Sequence, residues 1–184
     1  MNIPNTLVTI RLLLVPLIVI FLYIPLTRMV VPFLVILAWV TDFLDGYIAR
    51  KRGLQTKFGA FYDQFVDKIL VAFSLITLGD LGIIPMWLVI LMLFRDYLVT
   101  GIRSMVKAEG VILKSEWSGK IKFGLQVITI IIASALFALA PYSSFIAQYM
   151  YVIVFWTMVV ATLEAYYALV EFLAKNWKVI SSWR

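Results

Sequence analysis

"TDFLDGYIARKRGLQTKFGAFYDQFVDK", Thr41 to Lys68, holds four aspartates, Asp42, Asp45, Asp63 and Asp67, in a chain whose remainder reads as lipid-soluble. Of 184 residues, 64% are hydrophobic, and the mean hydropathy is +1.01. Soluble domains are nearer half apolar, so this chain has more apolar surface than an aqueous core can hide, and the expected solvent is a bilayer. Cysteine and histidine are absent, which excludes disulfides, zinc–thiolate sites, thiolate nucleophiles and imidazole bases. A proton acceptor must then be Asp, Glu, Lys, Tyr or water. The net charge of +6 suits anionic lipid headgroups. A nucleic-acid partner is not expected, because the basic residues are scattered among apolar spans.

A hydrocarbon core of about 30 Å needs about 20 helical residues per crossing. Six stretches qualify: Leu7–Leu26, Val30–Ala49, Phe58–Leu78, Ile83–Arg103, Gly119–Leu139 and Phe145–Leu173. Their apolar runs are continuous rather than alternating, which predicts helices and not a barrel. The fold class expected is an all-α integral membrane protein of six transmembrane helices, forming one domain over residues 1–184. The apolar N-terminal run, with Arg11 inside it and no small-residue cleavage site after it, reads as a retained helix. Basic residues crowd Arg50–Lys57, Arg103–Lys122 and the tail at Lys175, Lys178 and Arg184, whereas the intervening turns hold Arg28 alone. The positive-inside rule then places both termini and the Arg50 loop in the cytoplasm.

With the Arg50–Lys57 loop as a reversal, the second and third helices are expected to be antiparallel neighbours with their four aspartates at one depth. Asp42, Gly46 and Ala49 fall on one helical face, as do Gly59, Asp63 and Asp67. Four like charges in a low-dielectric place repel, and a divalent cation relieves this. Oxygen-only ligands suit Mg²⁺, Mn²⁺ or Ca²⁺. The plainer alternative is a set of solvated interfacial carboxylates paired with Arg50, Lys57 and Lys68. Against it stand the number of aspartates and their DxxD and DxxxD spacing, since ionisable groups at membrane depth usually mark function.

The stretch resembles the signature of the CDP-alcohol phosphotransferases, DxxDGxxAR followed by GxxxDxxxD, at Asp42, Asp45, Gly46, Ala49, Arg50, Gly59, Asp63 and Asp67. The resemblance implies six transmembrane helices, a homodimer, and a site for one or two Mg²⁺ or Mn²⁺ ions opening to the cytoplasm of a bacterial plasma membrane. It also implies transfer of a CDP-linked group to an alcohol with release of CMP. In that family Asp42, Asp45 and Asp63 would hold metal. Asp67 would line the same site and act as base. Gly46, Ala49 and Arg50 would lie against the cytidine nucleotide, with Asp42, Gly59 and Asn5 beside them.

A second cluster, "FRDYLVTGIRSMVK" from Phe94 to Lys107, with "SGKIKFG" further on, supplies Arg95, Arg103, Lys120 and Lys122. Together these would favour an anionic acceptor such as a phosphorylated polyol. Lys120 and Lys122 point to nearly opposite sides of a straight helix, so one of them faces the site. The alternative is that these cations mark helix ends and bind lipid headgroups. The opening "NIPNTLVTIRLLLVP", "RDYLVTGIR" and "GKIK" resemble the bacterial branch of the family that moves a phosphatidyl group from CDP-diacylglycerol to sn-glycerol 3-phosphate. Thr9, in the opening motif, joins the acceptor candidates; a helix-surface Thr is the alternative, as is an N-cap for Asn5. Two positions depart from the family pattern: Gln64, where many relatives carry Pro, and Phe123, where they often have Thr.

Other acceptors (inositol phosphate, serine, phosphatidylglycerol) stay open within the same chemistry. A divalent-cation transporter is the reading from another class. Acidic residues clustered at one membrane face and the lack of repeated halves weigh against it. Glu164, inside the last span, reads as structural, or as lining a polar crevice or the dimer interface. Trp39, Trp87, Trp156 and Trp177 read as interfacial anchors or packing residues.

Overall fold

The computed structural model of the chain describes residues 3–51, 56–108 and 117–181. Six helices account for nearly all of them: α1 (Ile3–Tyr23), α2 (Val31–Lys51), α3 (Lys57–Asp80), α4 (Met86–Ala108), α5 (Trp117–Leu139) and α6 (Ser144–Ser181).

Local chemistry sets the boundaries. Pro25 forces the preceding Ile24 into extended backbone (φ −91°, ψ 112°), which stops α1. A 3₁₀ turn over Pro25–Val30 then leads into α2. Thr56 caps α3, its hydroxyl accepting the Gly59 N–H at 2.9 Å. At the other end of α3, Gly82 takes φ +70°, a conformation open to glycine at little cost. There Ile83 N–H donates to Leu78 O (2.9 Å) and Gly82 N–H to Gly79 O (3.0 Å). These two bonds close a Schellman motif, with Leu78 and Ile83 both buried beside it. The reversal into α4 is thereby fixed.

One apolar cluster draws on all six helices, from Ile18 and Leu22 of α1 through Val35, Leu75, Met92 and Ile130 to Val154 and Met158 of α6. α1 lies against both α2 and α3, α5 pairs with α6, α2 also meets α5, and α4 leans on α6. The sequence pattern led us to expect α2 and α3 as direct neighbours. Instead α1 sits between them, and comparable α2–α3 packing is not present among the described residues. The outer surface bears large apolar side chains, Leu26, Phe33, Phe145 and Leu163 among them, and Trp39, Trp87, Trp156 and Trp177 are all exposed. That surface is suited to lipid rather than water.

By length and composition, four helical stretches can cross a membrane: Thr6–Tyr23, Pro25–Asp42, Trp117–Tyr142 and Ser144–Trp177. α3 and α4 are equally long, but Asp63, Asp67 and Lys68 interrupt one, and Arg95, Asp96 and Arg103 the other. Gln64 leaves α3 unbroken from Lys57 to Asp80.

Candidate active site

α1, α2 and α3 bring one arginine and three aspartates to a single point. Arg11 Nη1 lies 2.6 Å from Asp67 Oδ1, 2.9 Å from Asp63 Oδ1 and 3.2 Å from Asp42 Oδ1. Asp63 and Asp67 are one turn apart on α3, so a single group on α1 can touch both. The Arg11 side chain is fully buried, whereas the three carboxylates keep 18–33% exposure. The cluster therefore has a closed back, formed by the arginine, and an open front.

Each of these aspartates offers one carboxylate oxygen within 4.8 Å of the others. Three carboxylates against one guanidinium leave two negative charges. A compact, oxygen-only donor set of that charge fits a hard divalent cation such as Mg²⁺ or Mn²⁺. At an effective dielectric of about 20, unit charges at 4 Å interact by about 4 kcal/mol, so unneutralised carboxylates this close would drive the helices apart.

Gly46 stands half-buried one turn beyond Asp42. Gly59 sits in the first turn of α3, its N–H held by the Thr56 cap. Thr9 Oγ1 is 3.3 Å from the hydroxyl of Tyr62, the residue before Asp63, which ties α1 to α3 beside the cluster. The side chains of Asn5, Asp45, Ala49 and Arg50 lie outside the described residues.

A second polar centre, of opposite sign, lies among α3, α4, α5 and α6. Asp96 is its hub. It accepts from Lys122 Nζ at 2.7 Å, from Gln126 Nε2 at 2.9 Å and from Arg95 Nη1 at 3.2 Å. Arg95 also donates through Nε to the Ala165 carbonyl of α6, at 2.7 Å. Lys68 of α3 donates to Thr100 Oγ1, which in turn donates to the Asp96 carbonyl at 2.6 Å. Arg103 lies with its guanidinium carbon 5.5 Å from the Phe172 ring centroid. Of the two lysines opening α5, Lys122 is buried in this centre; Lys120 is exposed, 4.8 Å above the Trp117 ring. Glu164 is half-buried on α6, beside Ala165, whose carbonyl accepts from Arg95.

The sequence motifs mark neither Arg11 nor Gln126, and they offer Lys68 only as a counter-ion for interfacial aspartates. Arg11 stands as an isolated cation in an apolar helix. A lone guanidinium at membrane depth needs partners, and four uncompensated aspartates needed a cation; that pairing was the signal. Lys68 and Gln126 sit next to, or one turn from, residues the motifs do mark. Asp67 and Lys68, adjacent in sequence, place the acidic and basic centres on two sides of one helix.

Comparison with known proteins points to one family. Residues 1–163 match the profile of the CDP-alcohol phosphatidyltransferase family. The chain is 31% identical over 198 residues to a CDP-diacylglycerol–glycerol-3-phosphate 3-phosphatidyltransferase of Bacillus subtilis, covering 98% of each chain. It is 40% identical over 131 residues to an enzyme of the same name from Rickettsia bellii, covering 68% of this chain and 71% of that one. It is 38% identical over 134 residues to a probable phosphatidylglycerophosphate synthase of Mycobacterium tuberculosis, covering 70% and 64%. Signature, aspartate geometry and full-length likeness agree, and the chain belongs to the CDP-alcohol phosphatidyltransferase family.

Proposed function

We propose that this protein transfers the phosphatidyl group of CDP-diacylglycerol to sn-glycerol 3-phosphate, releasing CMP and forming phosphatidylglycerophosphate for phospholipid synthesis. The observation that carries this reading is the meeting of Asp42, Asp63 and Asp67 at one point open to the outside. The names of its relatives supply the donor and acceptor.

Asp42, Asp63 and Asp67, joined by Asp45, would hold one or two Mg²⁺ or Mn²⁺ ions. When bound, such ions neutralise the donor's diphosphate and the phosphate of departing CMP. Gly46, Ala49, Arg50, Gly59 and Asn5 would line the nucleotide: the small residues admit it and the guanidinium pairs with phosphate. Asp67 takes the proton from the 1-hydroxyl of glycerol 3-phosphate, whose oxygen attacks the β-phosphorus of the donor as the bond to CMP breaks. Arg103, with Arg95, Lys122 and Thr9, would hold the acceptor's phosphate. Asp96 keeps Arg95 and Lys122 in place between turnovers. Six crossings with a cytoplasmic site let a diacylglycerol tail stay in lipid while its headgroup meets a water-soluble acceptor. Assembly as a homodimer completes the proposal.

The test is an acceptor panel. Purified protein with CDP-diacylglycerol and Mg²⁺ or Mn²⁺ is given glycerol 3-phosphate, inositol phosphate, serine or phosphatidylglycerol, and CMP is measured. CMP release that needs both metal and glycerol 3-phosphate is expected. Release with a different acceptor would reassign the substrate, and no release with any would overturn the reaction.

A further inference from the structure

We infer that Arg11 is a built-in competitor for the metal: its guanidinium holds the same aspartate oxygens that would hold a divalent ion, and loosening of that hold accompanies ion binding. The inference rests on the proposed reading of Asp42, Asp63 and Asp67 as metal ligands.

The argument is geometric. One nitrogen, Arg11 Nη1, is within 3.2 Å of an oxygen from each of the three aspartates. An ion of the Mg²⁺ class binds carboxylate oxygens at about 2.0–2.1 Å. An ion shared by the same three oxygens would therefore compete with Nη1 for their lone pairs, and its charge would lie within about 5 Å of the guanidinium. Arg11 is fully buried behind carboxylates that face outward, so an ion would approach from the front, opposite the guanidinium, and draw the shared oxygens from it. A planar guanidinium on a three-carbon stem is suited to this, because it cannot deprotonate but can swing between partners.

Two consequences follow. Arg11 offsets the repulsion among the aspartates and holds α1, α2 and α3 together, which matters because, among the described residues, α2 and α3 pack little against each other. With ion, the positive charge of Arg11 remains close by and weakens affinity, keeping the metal exchangeable.

Full-length protein in detergent is titrated with Mn²⁺, and bound ion is read by electron paramagnetic resonance for wild type, Arg11→Gln, Arg11→Lys and Asp63→Asn. Arg11→Gln is expected to bind Mn²⁺ roughly tenfold more tightly or better, as loss of a unit charge this close requires. Arg11→Lys should fall nearer wild type, and Asp63→Asn should bind weakly. An Arg11→Gln affinity equal to or weaker than wild type overturns the competition while leaving the metal reading intact. Absence of Mn²⁺ binding by wild type overturns the metal reading and the inference with it. Should Arg11→Gln fail to fold, wild type labelled with ¹⁵N-arginine decides. Saturating Mg²⁺ is expected to shift the guanidinium resonance that Arg11→Lys removes, and an unmoved resonance overturns the inference.

Discussion

Arg11 Nη1 of α1 reaches Asp67 Oδ1 of α3 at 2.6 Å, across 56 residues of sequence. The proposed base is thus held by a buried cation rather than by solvent. Replacement of Asp67 by Asn keeps the shape but removes the charge and the proton acceptor. Turnover is expected to fall by about 10²–10⁴-fold or more, while CDP-diacylglycerol binding, measured separately, is largely kept. Full activity in Asp67→Asn would contradict its assignment as base.

The proposed acceptor role of Arg103 distinguishes the two substrates. Loss of a charge-assisted contact costs about 1.5–3 kcal/mol, so Arg103→Ala is expected to raise the KM for glycerol 3-phosphate about tenfold or more. The KM for CDP-diacylglycerol should change little. Equal changes for both substrates would argue for a role in packing against Phe172 instead.

Asp96 anchors Lys122, Gln126 and Arg95 in a largely buried setting. Asp96→Asn leaves Lys122 buried without a counter-charge, and breaking such a pair costs about 3–5 kcal/mol. A clear drop in thermal midpoint in detergent is expected. Asp96→Asn combined with Lys122→Met should recover part of it, because the stranded charge is gone, while acceptor affinity stays impaired. An unchanged midpoint in the single variant would show the network to be dispensable for stability.

Gly82 tests the turn alone. A Cβ there meets nothing within 4 Å, so Gly82→Ala carries only the backbone cost of φ +70°, about 1–2 kcal/mol. A modest fall in thermal midpoint with unchanged kinetics is expected; altered substrate KM values would mean that the turn communicates with the site.

Much of this arrangement could be read from residue types alone. Apolar length marks all six helices, and Pro25, Thr56 and Gly82 explain ends that a hydropathy reading places within a few residues. The DxxD and DxxxD spacings bring Asp42, Asp63 and Asp67 onto converging faces because helical periodicity is local. Periodicity carries no information about which helix lies between two others, so the insertion of α1 between α2 and α3 was not legible. Nor was the partner of Arg11, 52 residues from Asp63. The choice between Lys120 and Lys122 was half legible: opposite directions follow from their spacing, but which direction points inward depends on Asp96 of a different helix.

The adjacency of Asp67 and Lys68 makes α3 an axle carrying opposite charges on two flanks. Both flanks belong to one rod, so any rotation of it swings the two together. Under the proposed roles, the grips on donor and acceptor share one rigid helix, so displacing that helix displaces both.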